Sequence, residues 1–293
     1  MTILHEWPLV FFTLTVQLAV GLHLALLAAM GPLRSGVPAG KANPWSNRPS
    51  LLVGLLMAVA LTISLLHLGT PFNAVHTLSN LDDSWLSREI LAALVFLGLW
   101  GLGFWLGSRP GVAPWKVRAL AWAAAVAGIA LVGAMARIYM VPARPLWDHW
   151  LTAAGFFLTA LLLGAVGVAA WAEHLSASGS ASPVRVFLPG GAFLAAGLAA
   201  ALGQVAVTLT HPVTVEMTAS AAGGSSLATA RLLLLLCGAV LLVVPLVRSS
   251  LPGGSPLRAE KPGRWAAAAL LFLGASEVVG RMLFYAAGTV DSF

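Results

Sequence analysis

The side chains that could do chemistry in this sequence are ionisable residues at the ends of apolar runs. His67 ends the run LLVGLLMAVALTISLL, and Gly69 and Pro71, which are typical of helix ends, follow it. A histidine has an ordinary pKa of about 6.5, so it can accept a proton near neutral pH. Glu89, at the start of the next apolar run, could pass that proton on to water. The pattern indicates proton transfer at a membrane surface or, as the structural alternative, a histidine whose polar edge lies among lipid headgroups.

Further polar residues recur near one end of the apolar runs. Glu277, Arg281 and Tyr285 are spaced at i, i+4 and i+8, so they share one helix face, on which Glu277 and Arg281 could form an ion pair. An ionisable group at the centre of a membrane costs about 2.5 to 3.5 kcal/mol, so such groups normally face a bundle interior or a cavity. Ion pairing and interhelical hydrogen bonding are the structural alternatives to ligand binding. The residues with this placement are His5, Glu6, His67, Glu89, Arg137, Tyr139, Gln204, Thr208, His211, Arg231, Glu277, Arg281 and Tyr285. Together they predict a single polar pocket.

The elements that must position these residues are membrane-spanning helices. Of 293 residues, 59% are hydrophobic and 9% are charged, and the mean hydropathy is +0.91. Eight runs are long enough for a hydrocarbon core that needs about 20 apolar residues per helix. They lie near 9–30, 51–68, 86–106, 117–140, 150–171, 187–209, 227–247 and 265–287. The sequence therefore predicts an all-α integral membrane protein with eight transmembrane helices, forming a single transmembrane domain over residues 1–293.

Basic residues in the connections predict the orientation of these helices. The loops after the first, third, fifth and seventh runs carry eleven Lys and Arg residues, and the alternate loops with their adjoining helix ends carry four. The positive-inside rule places the richer set in the cytoplasm and both termini on the outer, periplasmic side. The polar pocket then opens outward. Aromatic residues predicted to lie in the interfacial belts are Trp85, Trp147, Trp150 and Trp265.

Cysteine and histidine usage argues against resident redox centres in this protein. Cys237 is the only cysteine, so a thiolate-ligated iron–sulfur cluster is excluded. His23 and His67 are the histidines within the predicted spans, but His23 lies about 20 Å from the outer end while His67 lies near it. They cannot ligate the same haem. No zinc-binding spacing occurs either, and the basic residues form no stripe that nucleic acid would need.

Five segments resemble the membrane anchor subunit of bacterial dimethyl sulfoxide reductase, the DmsC family. They are HEWPLVFFTLTVQ, LLHLGTPFNAVHTLSNL with SWLSREI, ARIYMVPARPLWDHWLTAAGFFLT, LGQVAVTLTH and SEVVGRMLFY. The resemblance runs in order through essentially the whole chain. It implies a multi-pass subunit of the bacterial inner membrane that binds a quinol, menaquinol or ubiquinol, and carries no haem or iron–sulfur cluster. It also implies two partners, an iron–sulfur electron-transfer subunit and a molybdopterin catalytic subunit.

The resemblance also assigns roles to particular residues. In such anchors the histidine of the HLG segment and the glutamate of the S-x-E-I segment are implicated at the quinol site, and here they are His67 and Glu89. A quinol that loses two electrons and two protons needs a base within hydrogen-bond reach, which His67 would supply, with Glu89 as a relay. The remaining candidates for quinol binding are Arg137, Tyr139, Gln204, Glu277 and Arg281.

Two other functions are compatible with the same set of predicted transmembrane helices. A secondary transporter would also place ionisable groups within its spans, although nearer the midplane and on interrupted helices. A purely structural anchor would need no quinone site at all. The sequence leaves open the substrate of the catalytic subunit and the direction of electron flow.

Overall fold

The computed structural model describes residues 7–34, 48–67, 80–177, 183–219, 224–250 and 264–290. The exposure and contacts of side chains are described for residues 7–29, 49–64, 80–171, 191–215, 225–247 and 265–287. In sequence order the helices within these ranges are α1 Trp7–Arg34, α2 Arg48–His67, α3 Trp85–Gly107, α4 Pro114–Tyr139, α5 Trp150–Ala177, α6 Pro183–Thr210, α7 Pro212–Ala219, α8 Gly224–Ser250 and α9 Arg264–Val290. The described part of the protein contains no β-strand, so the predicted all-helical class is confirmed.

Seven of the described helices contain a segment long and apolar enough to cross a membrane, namely α1, α3, α4, α5, α6, α8 and α9. Each agrees with a predicted run to within a few residues. The part of α2 with described side chains, Pro49–Ser64, is a shorter apolar helix, so the eighth span stays a prediction. The eight-residue α7 was not predicted, because it is too short for a span and follows α6 after His211 alone.

The outer surfaces of these helices carry large apolar side chains. Leu55 is 59% exposed, Val126 66% and Leu271 76%, each on a different helix. Surfaces of this kind would be unfavourable in water but suit contact with lipid tails. The exposed faces therefore agree with a multi-pass membrane protein.

Helix α3 and helix α4 form a hairpin whose local sequence explains its turns. Ser84 caps α3, because its side chain accepts a hydrogen bond of 3.2 Å from the backbone N–H of Ser87. The connection to α4 uses Gly111 with φ +80°, a conformation that favours glycine, and Pro114 begins α4. As α4 runs back along α3, its last residue, Tyr139, lies at the end where α3 begins. This hairpin brings Tyr139 and Glu89 to the same end of the bundle.

Helix α1 lies at the centre of the packing and contacts α2, α4, α5 and α9. Its approach to α5 is a contact between backbones. A Cβ atom on Gly21 would lie 1.9 Å from the carbonyl oxygen of Ala160, and one on Gly164 would lie 2.2 Å from the backbone of Gly21. Small residues of this kind let membrane helices approach closely and gain dispersion energy. The contact fixes the position of α1 relative to the polar end of α5.

We expect Gly21→Ala and Gly164→Ala to destabilise the protein by roughly 1 to 3 kcal/mol, because each added methyl group forces the helices apart. Gly98→Ala in α3 is the matched control, since a Cβ atom there meets nothing within 4 Å in the described structure. Thermal unfolding of the detergent-solubilised protein measures the effect. Equal melting temperatures for all three variants would contradict the backbone contact.

Candidate functional site

A small polar cavity lies at the end of the bundle where α5 and α8 begin and α6 and α9 end. The volume open to the centre of a water molecule is about 40 Å³. At roughly 10 to 15 Å³ for each water, this is room for about three. The polar side chains that line it are Thr152, Thr159, Gln204, His211, Thr214, Arg231, Glu277 and Arg281. The cavity has space for water but not for an aromatic ring.

Glu277 of α9 is the carboxylate of this cavity and is 2% exposed. Its Oε2 atom accepts hydrogen bonds from Thr159 Oγ1 at 2.5 Å and from Gln204 Nε2 at 3.2 Å. Its Oε1 atom lies 3.9 Å from Nη2 of Arg231 and has no hydrogen-bond partner among the described residues. Of the alternatives that the spacing allows, an ion pair of Glu277 with Arg281 is not present in the structure. Glu277 pairs instead with an arginine on α8.

Gln204 of α6 connects three helices around this carboxylate. Its amide nitrogen lies 3.0 Å from the carbonyl oxygen of Gly155 and 2.8 Å from Thr159 Oγ1, both on α5. Its Oε1 atom accepts a 3.0 Å hydrogen bond from Arg231 Nη2 on α8. Gln204 is fully buried, so these bonds replace the water that its amide group would otherwise bind. They hold α5, α6 and α8 in register at the level of Glu277.

Arg281 lines the same cavity but makes its closest contacts with residues other than Glu277. Its Nη2 atom donates a 2.9 Å hydrogen bond to Oε1 of Gln17 on α1. Its guanidinium group lies over the ring of Phe156, 3.5 Å from the ring centre. The amide and the aromatic face outcompete the pairing with Glu277 on the same helix. Arg281 therefore ties α9 to α1 and α5.

Two tyrosines meet beside this arginine. The hydroxyl groups of Tyr139 and Tyr285 are 2.9 Å apart and join the end of α4 to the end of α9. The ring of Tyr139 packs edge-on against Phe284, with ring centres 5.3 Å apart. Trp147 stacks on the same Phe284 and donates a 2.9 Å hydrogen bond from Nε1 to its carbonyl oxygen. Trp147 is thus part of the packing of this site, whereas Trp85, Trp150 and Trp265 are exposed. Their position in an interfacial belt stays a prediction.

Glu89 lies close to the tyrosine pair. It is 5% exposed, and its carboxyl group forms no hydrogen bond or ion pair with any residue that the structure describes. It is within electrostatic reach of both Tyr139 and Tyr285. A buried carboxyl group with free oxygen atoms is costly unless something else binds it. Glu89 is therefore the described acid best placed to meet a ligand.

The structure brings together most of the predicted polar residues. Glu89 and Tyr139 meet near Tyr285, while Gln204, Arg231 and Glu277 form the network at the cavity. The other residues of the predicted pocket that lie in this region are Thr208, His211 and Arg281.

Arg137 does not join them. It is exposed, its Nη1 atom donates to the carbonyl oxygen of Met140, and its guanidinium group lies 5.7 Å from the ring centre of Trp85. Helix α2 ends at His67, but the His67 side chain lies outside the described residues, as do His5 and Glu6.

Sequence reasoning missed Gln17, Thr152 and Thr159. Gln17 is an isolated amide in an apolar run, which is a signal that could have been used. The threonines gave no such signal, because threonine is common in apolar helices. His23, also a polar residue within a span, is buried with Nε2 3.0 Å from the carbonyl oxygen of Ala121. Among the described residues no group of three or more His, Cys, Asp and Glu side chains could hold a metal ion.

His211 lies at the outer edge of the cavity, between α6 and α7. Its Nδ1 atom accepts a 3.2 Å hydrogen bond from the backbone N–H of Val213. Its Nε2 atom lies 3.1 Å from Thr152 Oγ1, which donates its own proton to the carbonyl oxygen of Trp147. Nε2 therefore carries the proton of a neutral ring. Burial lowers the pKa of His211 to about 4, and the positive charges of His149, Arg231 and Arg281 act in the same direction.

This lowered pKa predicts acid sensitivity. Between pH 6.5 and about 4 the unfolded protein binds a proton at His211 that the folded protein does not, so stability falls as the pH drops through this window. The loss is at most on the order of 3 kcal/mol. His211→Gln should keep more of its pH 7 stability at pH 4.5 than the wild type, as measured by the melting temperature in detergent. His149→Gln should reduce the acid sensitivity less than His211→Gln does, because it removes only one of the groups that lower this pKa. Parallel losses in the wild type and His211→Gln would contradict the assignment.

Comparison with known proteins places this sequence in a family. The model of the family described as DMSO reductase anchor subunit (DmsC) matches residues 1–287. The anaerobic dimethyl sulfoxide reductase protein YnfH of Escherichia coli is 30% identical over 287 residues, which cover 96% of this protein and 94% of the relative. The C subunit of the anaerobic dimethyl sulfoxide reductase of the same organism is 28% identical over 297 residues, with the same coverage. The C subunit of the Haemophilus influenzae enzyme is 30% identical over 167 residues, 55% of this protein and 56% of that relative. Since the family match covers nearly the whole sequence, the protein belongs to the DMSO reductase anchor subunit (DmsC) family.

Proposed function

We propose that this membrane anchor subunit binds a quinol at the polar end of its bundle and transfers the electrons to a docked iron–sulfur subunit. The observation that carries the proposal is Glu89, a buried carboxyl group without a partner among the described residues, beside the hydroxyl pair of Tyr139 and Tyr285. Such a group can accept a hydrogen bond or a proton from a quinol hydroxyl. Membership of the anchor family supports the same function, because two relatives that match over nearly their whole length are named as parts of dimethyl sulfoxide reductase.

The reaction divides between this subunit and its partners. Oxidation of one quinol to quinone releases two electrons and two protons. His67 is the proposed acceptor of the first proton, and Glu89 passes protons on. The positive charge of Arg281, which interacts electrostatically with Tyr139 and Tyr285, stabilises negative charge that develops beside the tyrosine pair. The electrons pass to the iron–sulfur subunit and from there to a molybdopterin catalytic subunit, where an S-oxide or a related substrate is reduced.

The 40 Å³ cavity at Glu277 is too small for a quinol ring. We therefore infer that the ring binds on the Glu89 side of the tyrosine pair, between the end of α2 and the start of α3, with its isoprenoid tail in the lipid. In this arrangement Glu89, Tyr139 and Arg281 act on the quinol, and Gln204 and Glu277 act behind them. Arg137, which is exposed, contacts the headgroup region.

The proposed topology has eight spans in one transmembrane domain, with α2 as the eighth, and both termini on the periplasmic side of a bacterial inner membrane. The positive-inside count supports it. The quinol site and the docking surface for the iron–sulfur subunit then lie on the periplasmic side, so the electrons need not cross the membrane.

Substitution of His67 tests the quinol function. In the assembled complex, His67→Arg should lower quinol-dependent turnover by about 100-fold or more, because arginine keeps the charge but cannot accept a proton. Turnover with an artificial donor that reduces the soluble subunits directly should not change. Glu89→Gln should show a milder loss, and Asp83→Asn, an exposed acid near the start of α3, is its control. If His67→Arg and Glu89→Gln both keep wild-type turnover with quinol, the subunit is a structural anchor.

Cysteine labelling tests the topology. In a Cys237→Ala background, a cysteine at Asp83 should react with a membrane-impermeant maleimide added to intact spheroplasts, and one at Arg258 should react only after lysis. The opposite pattern would place the polar end of the bundle, and with it the quinol site, on the cytoplasmic side.

A further inference from the structure

The cavity at Glu277 contains polar atoms that the described side chains leave without partners. Oε1 of Glu277 and Nε of Arg231 are both buried and make no hydrogen bond among the described residues. Leaving such atoms unpaired costs about 1 to 3 kcal/mol each, more when they are charged. Glu277 and Arg231 both line the cavity, which has room for about three waters and offers hydrogen-bond donors and acceptors.

Resting on the function proposed above, we propose that this hydrated cavity is the exit path for protons released by quinol oxidation, with Glu277 as its proton-holding group. The path carries protons alone. The two electrons leave to the iron–sulfur subunit, and no bond forms between the quinol and the protein.

On the quinol side, one layer of side chains separates the cavity from the tyrosine pair. Phe156 and Phe284 line the cavity, and both rings also pack against Tyr139, with ring centres 5.8 and 5.3 Å apart. Arg281 lines the cavity and interacts electrostatically with Tyr285. Glu89 is within electrostatic reach of both tyrosines. The tyrosine hydroxyl groups thus lie between the acid beside the quinol and the acid in the cavity, and Arg281, which cannot accept a proton, contributes only its positive charge there.

On the other side, the outer wall of the cavity consists of Thr152 at the start of α5, His211 after α6 and Thr214 of α7, all of them buried. The ring of His211 lies 6.1 Å, between ring centres, from that of the half-buried His149, and the exposed Asp148 is the next residue. A proton that leaves Glu277 therefore crosses a short polar wall to reach water.

The charges around Glu277 favour movement of a proton from the quinol side of the cavity to its outer wall. The groups that face Glu277 are Arg231 from α8, Arg281 from its own helix, the neutral His211, and the amide and hydroxyl groups of Gln204 and Thr159. Glu277 is the carboxylate that faces both guanidinium groups in the cavity. When Glu277 takes up a proton, these positive charges lose their counter-charge, and Coulomb repulsion then favours release of the proton from the cavity.

Glu277→Gln in the purified three-subunit complex tests the path. We expect quinol-dependent turnover to fall by about 10-fold or more, while the affinity for a fluorescent quinol analogue changes by less than about threefold. Turnover with an artificial donor should not change. Millimolar acetate or azide should restore part of the lost turnover, because a small weak acid can carry the proton that glutamine cannot hold. Asp83→Asn, an exposed acid at the same end of the bundle that does not line the cavity, should show none of these effects.

Wild-type quinol turnover in Glu277→Gln would overturn the exit path, as would a loss of analogue affinity or a loss of turnover that no weak acid restores.

The complex with Glu277→Gln could fail to assemble because Arg231 is left unpaired. In that case Glu277→Asp and Val207→Leu test the exit path instead. Val207→Leu adds a methylene group to the cavity wall and leaves every charge in place. We expect it to slow quinol turnover at unchanged analogue affinity, and Glu277→Asp to keep measurable turnover that responds to acetate. Unchanged turnover in Val207→Leu, or turnover in Glu277→Asp that acetate does not alter, overturns the path.

The same measurements separate this inference from the quinol function itself. If His67→Arg and Glu89→Gln stop quinol turnover and Glu277→Gln does not, the exit path alone is wrong. If all of these variants keep turnover, the quinol function is wrong and the exit path with it.

Discussion

The arrangement of the polar end depends on one interaction, the pairing of Glu277 with Arg231 through Gln204. Lipid cannot hydrogen-bond to a buried charge, so each ionised group in the bundle needs protein atoms or trapped water around it. Gln204 accepts a hydrogen bond from Arg231 and donates one to the carboxylate of Glu277. These two bonds join α6, α8 and α9. Thr159 adds α5 to the same set. Replacing one member leaves the others buried and unpaired, which explains why the network acts as a unit.

Close packing at the centre of the bundle makes the second contact of this end possible. The backbone contact of Gly21 with α5 holds α1 near Arg281, and Gln17, one helical turn away on α1, then reaches its guanidinium group. Gly280 acts in a similar way, since a Cβ atom there would lie 2.6 Å from the guanidinium carbon of Arg231. Glycine thus gives the two arginines the space in which they bind their partners.

The sequence predicts the helical class and most helix positions, because apolar length and turn residues depend on local chemistry. It also predicts which end of the bundle is polar, since the spacing of Glu277, Arg281 and Tyr285 places them on one face. It cannot predict partners across helices. Arg281 pairs with Gln17, a residue 264 positions away in the sequence, and Glu277 pairs with Arg231, because helix packing decides which side chains meet. Arg137 shows the same limit, because a step of about two residues along a helix separates an inward from an outward side chain.

The distribution of space within the bundle has an electrical consequence. Polar atoms and water-sized volume are concentrated at the end that holds Glu277, whereas the described part of α4 away from it packs Val117, Ala121 and Ala125 tightly against Leu27 of α1. Protons move readily through water and do not cross a dry apolar layer. The polar end of the bundle can therefore conduct protons, while the apolar end around Leu27 blocks them. With the topology and function proposed above, a charge that moves between Glu89 and the surface would cross little of the transmembrane voltage. An anchor built in this way can exchange protons with one compartment while it stays sealed against leakage from the other.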